Sequence, residues 1–145
     1  MRKCMTILKV ALFVLCFSVS TGLAQDKAAQ GIDGNKLVEA SRILISDGQI
    51  LEKCTCQDRA KMLEQAEKML TKGQEFLKAG DMMRSSKGSA NIKSIAAMMI
   101  QGGNMLLKKG KQEGEISAKD KAKINKLGKD MIVKGNLLLK KGEMM

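Results

Sequence analysis

Residues 124–142 read INKLGKDMIVKGNLLLKKG. Ile124, Leu127, Met131, Ile132, Leu138 and Leu139 stand at helical spacing, so their side chains share one face of an α-helix. Gly128, Gly135 and Gly142 follow each other at seven-residue steps on that same face. An amphipathic helix with glycine in its apolar stripe is an unusual object, and three earlier stretches of the chain repeat it.

Aligning the stretches on Gly48, Gly73, Gly103 and Gly135 shows the repeat. Four residues before the glycine stand Leu44, Met69, Met99 and Met131. Three before stand Ile45, Leu70, Ile100 and Ile132, and eleven before stand Leu37, Met62, Ile92 and Ile124. Three after come Leu51, Phe76, Leu106 and Leu138. One after is always an amide (Gln49, Gln74, Asn104, Asn136), and five after is always lysine (Lys53, Lys78, Lys108, Lys140). A period of one helix plus one loop points to internal duplication.

Glycine inside a helix costs about 1 kcal/mol relative to alanine. Its place in the apolar stripe therefore needs a compensating contact. Close approach of two helix backbones supplies one, and the seven-residue step suits shallow-angle packing. Gly48, Gly73, Gly103, Gly128 and Gly135 are the candidate packing glycines. Gly80, Gly110 and Gly142 stand where the apolar pattern ends and follow lysines, so the expectation there is helix termination through a left-handed cap.

The chain has no proline and little β-branched alternation, which points to an all-α protein. Helices are expected at about 33–53, 58–79, 89–109 and 117–141, with Asp33, Ser89 or a residue nearby, and Ser117 as N-caps. Short connections make successive helices antiparallel neighbours. The expected fold is thus an up-down-up-down four-helix bundle built from four copies of one amphipathic helix. Two hairpins stacked together, or completed by dimerisation, are the alternative arrangement.

Residues 1–24 have the form of a secretory signal peptide. Arg2 and Lys3 precede the apolar run VALFVLCFSVS, and Gly22-Leu23-Ala24 suits cleavage after Ala24. The apolar run is too short for a comfortable membrane span. Residues 25–32 are expected to form a flexible N-terminal tail, ahead of a bundle over 33–145. The localisation expected is export, to a periplasm or the medium. Cleavage would remove three cations and no acid, lowering the net charge from +11 to +8.

A basic exported protein is drawn to anionic surfaces such as headgroups, wall polymers or acidic proteins. Lys108, Lys109, Lys111, Lys140 and Lys141 are the candidate contacts, although lysines also serve simply as the solvated faces of helices. Phe76 would be the one aromatic left after cleavage, so there are no platforms for stacked bases and nucleic acid is not expected as a partner.

Cys54-Thr55-Cys56 is the one motif with overt chemistry. An exported compartment favours a disulfide, within the turn or between chains. The redox or soft-metal reading needs a thiolate, which the start of the second helix would favour at Cys56. Lys108, Lys109, Lys111, Lys119 and Lys121 would push the same way. Methionine is abundant, and thioethers bind Cu(I), but Met69, Met99 and Met131 share a column with Leu44 and are expected in the core. Histidine is absent, which removes the commonest zinc and Cu(II) ligand.

No paired carboxylates, Ser/His constellation or phosphate-cradling loop is visible, so no enzymatic activity and no resident cofactor are expected. The function these residues suggest is an exported, non-catalytic binding or structural module of a bacterial-type cell envelope. It would act by helix–helix or anionic-surface association, with a protein, an anionic surface or a second copy of itself, including peripheral membrane contact. The alternative is a thiol-redox or Cu(I)-binding protein working through Cys54 and Cys56.

Overall fold

The computed structural model describes residues 33–145. The expected signal peptide and the tail at 25–32 lie outside the described residues. Every regular element among them is a helix: α1 (33–52), α2 (Arg59–Met82), α3 (Ser86–Lys111) and α4 (Ala118–Glu143). Together they form a four-helix bundle. No described helix is long and apolar enough to cross a membrane.

Three starts are set by side-chain acceptors on otherwise free amides. Asp58 accepts from the Lys61 amide, Ser85 from Gly88 and Ser117 from Asp120. For the third helix, expected to be capped by Ser89 or a residue nearby, the cap is Ser85. Gly88 then lies inside the first turn, and the Ser89 hydroxyl donates to the Gly80 carbonyl at 2.7 Å instead.

The expected terminations at Gly80, Gly110 and Gly142 are also corrected. Each helix runs through its glycine and stops one or two residues later. None of these glycines has a positive φ; among the described glycines only Gly114 does. All three are packed. A methyl group on Gly80 would come 2.8 Å from Lys93 Cγ, on Gly110 2.7 Å from Leu63 Cδ2, and on Gly142 3.1 Å from the Val38 amide nitrogen.

The central glycines show how the helices pair. A methyl on Gly73 would meet Ile100 Cγ1 and the Ala96 carbonyl of α3, and one on Gly103 would meet Leu70 and the Ala66 carbonyl of α2. The same exchange joins α1 and α4. Gly48 faces Ile132 and the Gly128 carbonyl, and Gly135 faces Ile45 and the Ser41 carbonyl. In each pair the contact residues rise in number along one helix as they fall along the other. The bare Cα atoms let the backbones close.

The two close pairs, α1 with α4 and α2 with α3, enclose the core. Leu37, Leu44, Leu51, Met69, Ile92, Ile95, Met99, Leu106, Ile124, Met131 and Leu138 are all at least 98% buried. At Gly102 the four helices converge: a methyl there would lie 2.5 Å from Met69 Cε, 3.4 Å from Leu51 Cδ2 and 3.7 Å from Leu127 Cδ2. Ser41 is also fully buried, and its hydroxyl is satisfied by the Leu37 carbonyl one turn back.

Candidate functional site

The turn between α1 and α2 carries the cysteines. Its chain reversal is completed by Cys56, at φ +57 the one described non-glycine residue in the left-handed region. A side chain there is strained, and such strain collects at sites where the surrounding structure over-determines the backbone. The conformation turns Cys56 inward, where it is 6% exposed and joins the hydrophobic core. Cys54 remains half-buried, and both are free thiols with their sulfurs 3.1 Å apart.

Burial pushes the Cys56 thiol up to about 12, with the Cys54 hydrogen bond and charge acting in the same direction. Lys121 and Arg59 pull it down and are overmatched. That upward direction runs against the thiolate expected at Cys56. The helix start and nearby cations do favour the anion, but an inward-facing sulfur loses more by desolvation than they return. Lys109, one of those cations, is engaged with Asp120 at 2.7 Å.

A cleft of about 200 Å³ opens beside the pair, lined by Cys54, Thr55, Cys56, Met62, Gln65 and Leu106 among others. Two interactions steady its surroundings. Arg59 donates to the carbonyls of Lys109 (2.5 Å), Gln112 (2.7 Å) and Gly114, which ties the start of α2 to the end of α3. Asn125 donates to the Glu52 carbonyl at 2.6 Å, tying α4 to the end of α1.

The candidate lysines do not form one patch. Lys108, Lys109 and Lys111 end α3 beside the start of α4, near the cysteines. Lys140 and Lys141 occupy the last turn of α4, where Gly142 meets Gly34 and Val38. Some 20 residues of helix, about 30 Å, separate the two groups. The charge is nevertheless unevenly held. Helix α3 carries five lysines and no acid, and α4 eight lysines against three acids. The described α1 residues hold four acids against two cations, and α2 four against five. This bias was available in the sequence once helix boundaries were assigned.

Asp47, the partner of the cleft residue Gln65, is a perturbed carboxylate that the sequence did not single out. Burial raises its carboxyl to about 6, against a lowering by the Gln65 amide that donates to it at 2.8 Å. Its contact crosses from α1 to α2, and only the packed structure reveals it. Among the described residues, no three His, Cys, Asp or Glu side chains gather into a metal cage. No protein family, curated protein or solved structure matches this chain.

Proposed function

We infer that the chain is an exported, non-catalytic module of the cell envelope that works by associating with an anionic surface. Its architecture in this reading is up-down-up-down, with four copies of one helix. The reciprocal seams support that: each central glycine is covered by the residue three positions before the central glycine of its partner helix. The column four residues before the glycine agrees with it, because its four members, Leu44, Met69, Met99 and Met131, are all completely buried.

The observation that carries the functional reading is the concentration of cations on α3 and α4. Fold stability does not call for it, since like charges along one helix repel, and few of these lysines have an acidic partner: Lys93 pairs with Asp81 and Lys109 with Asp120. A surface with this excess of cations raises the local concentration of anionic partners and speeds encounter with them. Between α3 and α4 a shallow cleft of about 400 Å³ is lined by Asn104, Met105, Lys108, Lys109, Asp120 and Lys123.

Co-sedimentation with vesicles tests the reading. The chain should pellet with phosphatidylglycerol-containing vesicles at low salt and be released as ionic strength rises. Replacing Lys119, Lys123, Lys126 and Lys129 with glutamine should abolish the binding while leaving the helical spectrum intact. Equal binding to neutral vesicles, or none to anionic ones at low salt, contradicts it.

A further inference from the structure

We propose that Cys54, Cys56 and the thioether of Met62 form a binding site for a soft monovalent cation of the Cu(I) class. Three independent features meet there. The two thiol sulfurs are free and 3.1 Å apart. Met62 lines the same cleft as the two cysteines, which puts a third sulfur-bearing side chain at its wall. The strained φ of +57 at Cys56 holds its sulfur against Cys54.

The aligned positions in the chain sharpen the assignment, which in this respect rests on the proposed fourfold repeat. Eleven residues before the central glycine stand Leu37, Ile92 and Ile124, with a thioether only at Met62. Seven after it stand Gly80, Gly110 and Gly142, and the one departure is Thr55, flanked by the two cysteines. Both departures from the common pattern fall at the same cleft. A core position alone explains a hydrophobic residue at 62, but not why sulfur appears beside this turn.

The donor set selects the ligand. Thiolate and thioether sulfur suit Cu(I), whereas carboxylate, carbonyl and water suit hard cations. Structural zinc takes four nitrogen or sulfur ligands, and the described residues supply no His and no third Cys here. Binding balances without oxidation or reduction. One Cu(I) displaces the two thiol protons to solvent and gains two thiolate bonds, while Met62 donates a lone pair and releases nothing. The complex then carries one net negative charge, and Arg59 and Lys121, the cations that act on Cys56, offset it.

The test is a titration of the reduced full chain with Cu(I) against a colorimetric Cu(I) chelator, together with copper K-edge absorption. One Cu(I) per chain with three sulfur neighbours is expected. Cys54→Ser and Cys56→Ser should each abolish one-to-one binding. Met62→Leu, which keeps the core volume, should weaken it about tenfold and reduce the sulfur count to two. Met69→Leu, a core change outside the cleft, should alter neither. Because Cys56 is buried, the half-buried Cys54 supplies the variant that tests ligation if Cys56→Ser does not fold. No stoichiometric binding, retention of binding in Cys54→Ser, or an unchanged sulfur count in Met62→Leu overturns the site. Vesicle binding is read separately, so either proposal can fail alone.

Discussion

At the scale of single residues, what matters is which atom faces a side chain or a bare Cα. Asp47 shows it for charge. Its folded-state value of about 6 lies above the ordinary 3.8, so the folded protein keeps the proton to a higher pH than the unfolded chain does. The sign follows from linkage. Stability is full below about pH 4, falls as pH rises through the window between those two values, and is flat above it. Asp47→Asn keeps an oxygen to accept from Gln65 and removes the loss. With partial exposure discounted, the variant should be about 1 to 2 kcal/mol more stable at pH 7 and no different below pH 4. Urea titrations at the two pH values check this. Gly102 shows the same dependence for volume. Its nearest neighbour is the flexible tip of Met69, which can swing aside. Gly102→Ala should therefore lie between neutral and about 1 kcal/mol stabilising, as read by thermal melting.

At the scale of elements, the helices are legible in the sequence because their period and caps are local. Asp58 and Ser117 announce the starts of α2 and α4 through acceptors placed three residues before a free amide. The end of α2 was less legible. Lysine followed by glycine reads as a stop, yet Gly80 continues the helix because α3 lies against it, and no local signal carries that. The cysteine turn divides in the same way. Its position between two helices is written in the sequence, while the inward rotation of Cys56 and the elevated thiol come from packing. Arg59 links the start of α2 to the end of α3. Its guanidinium donates to carbonyls at and just past the end of α3, those of Gln112 and Gly114 and that of Lys109, which also accepts from the Gln112 amide. Arg59→Ala should cost about 1 to 3 kcal/mol and speed amide exchange in the last turn of α3. Arg59→Lys should recover only part, since an ammonium lacks the planar fork.

At the scale of the molecule, the glycines decide which helices pair. The seven-residue spacing indicates that close contacts exist but not where they go. Their destinations, α1 on α4 and α2 on α3, emerge when Gly48 meets Gly128 and Gly73 meets Ala96. The contacts are so close that this arrangement leaves no room for a methyl group at several positions, which turns a helix liability into a pairing code. The most direct measurement of that claim is the melting temperature of Gly128→Ala. A methyl at Gly128 would run into the backbone of Glu52 and come 2.6 Å from the Gly48 carbonyl, and backbone cannot swing aside as Met69 can. Helix propensity alone favours alanine by about 1 kcal/mol. The contact account predicts the opposite sign, a loss of about 1 to 3 kcal/mol from overpacking and a lower melting temperature. An increase in melting temperature for Gly128→Ala would contradict it.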